Sequence, residues 1–299
     1  MTSGTSSSAT GAARFADYFE LTKPRLSLLS VLTALAGYAA ARPPGRDFEV
    51  LTCVLAGTCM AAGGVAALNQ YLECETDARM VRTANRPIPS GKIASGSAFI
   101  LGAGLCAASL MLLFIMVNAL SALFTLLTIF AYLGLYTPAK KRSRWATEIG
   151  AVAGAFPPLI GWAAGEGRIS TLGWILFAIL YFWQIPHFMA IAWMYRRDYS
   201  AVNFPMPSVR DPSGGRVAVR SFVNCVLLVA VSVLPVYLRL DTWRYGVVAA
   251  ALGVWLLVRA GAFLRSSRHD ATAGPLFFLT ILYLPALLIA LVADRLAFY

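Results

Sequence analysis

Three oxygen-bearing side chains, Asn69, Glu73 and Asp77, stand four residues apart in the passage "NQYLECETDARMVRTANRPIPSGK" (69–92). At ~3.6 residues per turn they fall within about 80° of one face of a helix, and Glu75 projects to nearly the opposite side. Such a stripe suits a hard divalent cation, since Mg²⁺ takes oxygen ligands, commonly a couple of carboxylates together with phosphate oxygens. Carboxylate pairs at this spacing also decorate ordinary solvated helix ends. Asn69 is more telling, because an idle amide that deep in an apolar run is costly. Arg79, Arg82 and Arg86 follow, and Pro87 and Pro89 are expected to push Arg86 and Ile88 into extended backbone. A chain stiffened in this way can return guanidinium groups toward the carboxylate face. Arginine forks match phosphate oxygens, so the passage points to a metal-bound phosphate or diphosphate. Arg82 and Arg86 are read as ligands of that anion, and Arg79 as a topology determinant with local ion pairs.

A second passage, "FWQIPHFMAIAWMYRRDYSAVNFPMP", mirrors the first. His187 follows Pro186 inside an apolar run, and an ionisable residue at membrane depth is a functional candidate by default. A satisfied interhelical hydrogen bond explains it almost as well. Asp198 lies about 20° around the helix from His187 and roughly 16 Å further along it. One face therefore carries an interfacial acid and a deep imidazole. Trp183 and Trp193 read as packing and interface anchors. Between the two passages, "YTPAKKRSRW" adds Lys140, Lys141, Arg142 and Arg144. Lys140 and Lys141 are candidate counterions for a diphosphate, and the rest read as solvated charge.

These residues need long helices to hold them. The chain has 299 residues, is 59% hydrophobic and 13% charged, and has a mean hydropathy of +0.68. Soluble domains carry about 25% charged residues, so this surface is made for lipid. Apolar stretches reach the ~20 residues that cross a bilayer as a helix, and the short alternating segments of a β-barrel are not visible. The fold class is all-α, a polytopic bundle. Nine spans are expected, at 26–42, 50–72, 94–116, 118–137, 149–165, 171–194, 217–238, 244–264 and 275–293, with a very tight turn at Asn118. Residues 1–20 read as a disordered polar tail, and 21–299 as one transmembrane domain. The carboxylate passages follow spans two and six on one side, a spacing that suggests duplicated halves with the site between them. Of the 25 lysines and arginines, 19 fall on that same side. The positive-inside rule makes it cytoplasmic, with the N-terminus inside and the C-terminus in the periplasm. The net charge of +11 is thereby explained as topology, without a nucleic-acid partner. The five cysteines form no CxxC pair and read as buried thiols.

The passage 69–92 resembles the first aspartate-rich signature of the UbiA superfamily of intramembrane prenyltransferases, and more narrowly that of the protoheme IX farnesyltransferases (heme O synthases). "LTKPRLSLLSVLTALAGY", "YTPAKKRSRWATEIGAVAGAFPPLIGW" and "WQIPHFMAIAWMYRRDYSAVNFPM" are similar to the same family's other blocks, covering roughly 18–210. The superfamily's middle acid is usually Asp, where this chain has Glu73. Asp198 is followed by Tyr199, with no second acid three or four residues on. The resemblance implies transfer of a farnesyl group from farnesyl diphosphate to a vinyl group of heme b, giving heme O. The implied metal is Mg²⁺, held by Asn69, Glu73 and Asp77 with Asp198 contributing. Tyr71, Tyr136, Trp183 and Phe188 are candidates to face the allylic cation. His187 would face the heme, as iron ligand or proton handler. A heme-pathway membrane partner and a homo-oligomer remain open, and a bacterial inner membrane is the expected site. Two rivals stand beside this reading: a relative that prenylates an aromatic acceptor such as 4-hydroxybenzoate, and a transporter with a His187–Asp198 proton relay.

Overall fold

In hydrocarbon a peptide N–H or C=O has no partner but another peptide, so long apolar runs coil into helices. The computed structural model describes residues 14–41, 47–201, 205–265 and 269–298, and among these every regular element is helical. In chain order they are α1 (Phe15–Leu21), α2 (Pro24–Ala41), α3 (Phe48–Asp77), α4 (Ser95–Met116) and α5 (Ala119–Phe130). A π-helical turn (Ala131–Tyr136) then leads into α6 (Thr137–Arg142), α7 (Ala146–Ala155), α8 (Pro157–Glu166) and α9 (Thr171–Met194). The chain ends with α10 (Arg196–Ala201), α11 (Pro207–Arg210), α12 (Gly215–Tyr237), α13 (Trp243–Arg265) and α14 (His269–Phe298).

Eight of the nine expected spans are continuous helices, α5 to α6 counting as one. The expected span at 149–165 is instead two ten-residue helices, α7 and α8, joined at Phe156. Pro157 and Pro158 cause the break, because neither has an N–H to donate and each ring displaces the preceding carbonyl. The break serves packing. α8 lies along α2 with Gly37 against the Pro158 carbonyl and Gly161 against the Ala34 carbonyl, where a Cβ would collide with the facing backbone. Small residues let membrane helices approach this closely. The tight turn at Asn118 is as expected: its Oδ1 accepts from the Ser121 N–H at 2.8 Å, and its Nδ2 donates to the Ala163 carbonyl at 2.9 Å.

The main core lies between α9, α12, α13 and α14, around Trp183, Tyr245, Phe263 and Tyr283. Two features depart from the sequence reading. Residues 1–13 of the expected polar tail lie outside the described residues, but the tail gives way to helix at Phe15. The Arg14 N–H donates to Asp17 Oδ2, and Leu21 is fully buried among Ala67, Ile88, Ile93 and Ala98. In addition, Pro87 and Pro89 sit in successive hydrogen-bonded turns, with Arg86 N–H to Thr83 O and Ser90 N–H to Arg86 O, so no extended stretch forms. The proline rings fix φ, and the intervening N–H groups close turns locally.

On the opposite end of the bundle, Asp294 accepts from the N–H and hydroxyl of Thr242, and Arg295 donates to the carbonyls of Ala40 and Leu240. Beside them Asp241 is 3% exposed, and neither carboxylate oxygen has a partner. Burial pushes its pKa up to about 7, Asp294 adds to the rise, and Arg295 opposes it. Because the folded pKa lies above the unfolded value, ionisation weakens the folded state, and stability falls as pH rises from about 4 toward 7.

Two predictions follow from these contacts. Gly161→Ala should destabilise the purified protein by about 1–3 kcal/mol through forced separation of α2 and α8, read as a lower thermal midpoint. Asp241→Asn should raise the midpoint at pH 8, by about 2–4 °C per kcal/mol recovered. Its gain over wild type should shrink toward pH 5; an equal gain at both pH values would refute the orphaned-carboxylate account.

Candidate active site

The oxygen stripe forms as the helical spacing requires. Asn69, Glu73 and Asp77 occupy one buried face of α3, exposed by 3%, 1% and 3%, and Glu75 faces outward. Around them stand cations drawn from three separate segments. The Lys23 ammonium lies 3.5 Å from Asn69 Oδ1, Lys140 donates to Glu73 Oε2 at 3.0 Å, and Arg86 donates to Asp77 Oδ2 at 2.6 Å. Asn69 also donates to Thr137 Oγ1 at 3.3 Å. Buried carboxylates demand such pairing, because an isolated buried charge costs several kcal/mol.

Local backbone chemistry aims each partner. Lys23 has φ +47°, a left-handed conformation that is strained for a lysine. It lies between α1 and α2 and, with Pro24 opening α2, turns its side chain into the site. Burial, with Arg86 and Lys140 close by, pushes its pKa down to about 7, and Glu73 and Asp77 pull the other way. The π-helical turn widens the helix directly before Thr137, a feature common at functional sites. It sets Tyr132, Tyr136, Thr137 and Lys140 toward α3, with Thr137 Oγ1 donating to the Tyr132 carbonyl and the two tyrosine rings packed edge to face at 5.1 Å. Tyr136 is near enough to Glu73 and Arg82 to feel their charges. Gly150 makes room for its ring, since a Cβ there would approach Tyr136 Cδ2 to 2.7 Å.

Other expected residues are placed differently. Arg82 is exposed and lies over the rings of Tyr195 and Tyr199, 5.2 and 5.6 Å from their centroids, so it ties the two charged loops together and sits off the carboxylate stripe. Met80 and Tyr199 bury the same junction. Lys141 is exposed: one step along a helix turns a side chain by about 100°, and the site takes Lys140 alone. Asp198 sits on α10 next to this junction, but no group of three His, Cys, Asp or Glu residues is close enough to hold a metal among the described residues. Asp198 is thus not grouped with Glu73 and Asp77. Tyr71 is 38% exposed and packs on Phe99, away from the stripe. Arg79 is exposed and forms no ion pair among the described residues.

His187 belongs to a separate cluster between α9 and α14. Its ring is stacked between Trp183 and Phe277 with centroids 5.0 and 4.9 Å away, and Phe188 meets its edge. Nδ1 is 2.9 Å from Thr280 Oγ1, whose single hydrogen goes to the Phe277 carbonyl at 2.6 Å. Thr280 must therefore accept, which places the proton on Nδ1 and leaves the Nε2 lone pair available.

The oxygen donors fit Mg²⁺. Glu73 Oε1 is buried without a hydrogen-bond partner, as is Gln70 Oε1 one residue around from Asn69. An unmet acceptor beside an amide oxygen and a second carboxylate is what a hard cation would satisfy. The UbiA prenyltransferase family profile matches residues 30–290. The chain belongs to the UbiA prenyltransferase family. A protoheme IX farnesyltransferase from Opitutus terrae is 63% identical over 284 residues, covering 95% of this chain and 96% of that one. In fold, this family member is similar to a digeranylgeranylglyceryl phosphate synthase structure, at a TM-score of 0.80 and 17% identity over 94% of this chain and 98% of that chain. It is also similar to a UbiA homolog from Archaeoglobus fulgidus bound to DMAPP and Mg²⁺, at a TM-score of 0.70 and 14% identity over 92% and 99% of the two chains.

Sequence reading missed Lys23, Tyr132 and Thr137. A lysine directly before a helix-opening proline was the available signal for Lys23; the others depend on which faces of α3 and the π-helical turn come together.

Arg86→Ala should leave Asp77 buried without its cation and cost about 3 kcal/mol. Adding Mg²⁺ should restore more thermal stability to this variant than to wild type, since the ion takes the place of the lost charge. Equal Mg²⁺ effects on both proteins would show that Asp77 does not face a metal site.

Proposed function

We propose that this UbiA-family enzyme transfers the farnesyl group of farnesyl diphosphate to a vinyl group of protoheme IX. The allylic C–O bond breaks, and a C–C bond forms to the terminal vinyl carbon. Water adds to the inner carbon and releases a proton, giving heme O and diphosphate. The observation that carries the reading is the buried Asn69–Glu73–Asp77 stripe ringed by Lys23, Lys140 and Arg86, in a chain 63% identical to a protoheme IX farnesyltransferase.

Asn69, Glu73 and Asp77 are the residues that would hold Mg²⁺, which when bound neutralises diphosphate charge and so favours its departure. Lys23, Lys140 and Arg86 now spend their charge on these oxygens. With the stripe engaged, the same three cations can turn to the diphosphate and stabilise the negative charge that grows as the C–O bond lengthens. Arg82, held on Tyr195 and Tyr199, ties the two loops together at this end. Tyr132 and Tyr136 offer their ring faces to the allylic cation. The available Nε2 of His187 suits it to the heme iron, with Thr280 fixing the ring; histidine ligands are commonly oriented in this way by a partner on the other nitrogen. Asp198 and Lys141 are left with supporting electrostatic roles at the loop mouth.

The excess of basic residues on the site's side argues for a cytoplasmic active site in a bacterial inner membrane, with the N-terminus inside and the C-terminus outside.

Purified protein given protoheme IX, farnesyl diphosphate and Mg²⁺ should form heme O, detected by chromatography and mass spectrometry. Glu73→Ala and Asp77→Ala should each lower turnover by about 10²-fold or more, the usual scale for loss of a preorganised charge-stabilising group. Full activity in both variants, or no prenylated heme from the wild-type protein, would sink the assignment.

A further inference from the structure

The bundle's basic side carries a second cationic feature, lined by residues other than those of the carboxylate stripe. Two adjoining cavities, of about 600 and 260 Å³, open where the loop before α7 meets the start of α12, and Arg216 and Arg220 line both. Arg144 and Arg210 line the smaller cavity. Two acids are near, and both are engaged. Glu148 accepts from Arg220 at 3.1 Å, and Asp211 accepts from the Ser213 hydroxyl and the Arg216 N–H within its own turn. Arg144, Arg210 and Arg216 form no ion pair among the described residues. Trp145 stands beside the cavity beneath the guanidinium groups of Arg220 and Arg144, 4.4 and 5.5 Å from its ring centroid. A half-exposed tryptophan among arginines marks the depth of lipid headgroups.

The apolar surface below the cavity defines the occupant. Arg216 heads one face of α12, and the same face continues through Val219, Val223, Val226 and Val233, all exposed, with Val219 in the wall of the larger cavity. A free anion would use the arginines and leave this valine stripe idle. A phospholipid uses both, its phosphate among the guanidinium groups and its acyl chain along the valines. Basic pockets at this level bind anionic headgroups, with about 1 kcal/mol gained per Lys or Arg.

We infer that the cavity formed by Arg144, Arg210, Arg216 and Arg220 is a binding site for one anionic phospholipid, with its acyl chain on the exposed valine face of α12. The site shares no lining residue with the carboxylate stripe.

The test is native mass spectrometry of the full-length protein in mild detergent with phosphatidylglycerol or phosphatidylcholine. Wild type should retain one phosphatidylglycerol. Retention should fall about tenfold or more in R210Q/R216Q and survive in R210K/R216K, and phosphatidylcholine should bind no better than to the glutamine variant. Acyl-brominated phosphatidylglycerol should also quench the fluorescence that is lost in Trp145→Phe, a readout on the native arginines that does not depend on whether the glutamine variant folds. Equal retention by wild type and a folded R210Q/R216Q, equal retention of both lipids, no quenching at Trp145, or displacement of the lipid by millimolar inorganic diphosphate would each overturn the inference.

Discussion

Within the low-dielectric end of α3, two carboxylates and an amide oxygen can be buried only if positive charge is buried with them. Lys23 comes from the α1–α2 junction, Arg86 from the loop after α3, and Lys140 from the helix beyond the π-helical turn. Each segment is irregular where it meets the site: a left-handed lysine, a chain of proline turns, a widened helix. Those irregularities have a common cause. Regular helices carry side chains parallel to their neighbours, whereas three cations converging on one stripe must arrive from different directions. Charge pairing makes the buried stripe tolerable in this low-dielectric setting.

The remaining architecture keeps that end of the bundle fixed. α7 and α8 break at Phe156 so that α8 can lie against α2 through Gly37 and Gly161, and α2 starts at the residue after Lys23. Gly150, on α7, leaves space for Tyr136. Displacement of the broken span would therefore move both a cation and an aromatic ring of the site. Arg82 performs the corresponding task between the loops, joining the loop after α3 to Tyr195, which follows α9, and to Tyr199 on α10. Its aromatic partners lie more than a hundred residues away in the chain, and no local pattern announces them.

The imidazole of His187 shows a different division of labour. A histidine at membrane depth was visible in the sequence, as was the possibility that it merely satisfies a helix–helix hydrogen bond. The structure shows the hydrogen bond. Its Nδ1 is bonded to Thr280, and because Thr280 has already given its hydrogen to Phe277, that bond selects a single tautomer. The structural contact thus leaves the lone pair on the other nitrogen.

Composition and periodicity alone determined that this chain spans a membrane many times as helices, and where most spans lie, because backbone groups in lipid have only one economical way to pair. They also determined that Asn69, Glu73 and Asp77 share a face, since helical geometry depends on spacing alone. Which cation meets which oxygen was decided by the tertiary structure. Lys140 could be told from Lys141, and Arg86 from Arg82, only once α3, the π-helical turn and the proline loop were packed together. The distance over which an ion pair forms is a few ångströms, and in a bundle of helices that proximity is set by partners distant in sequence.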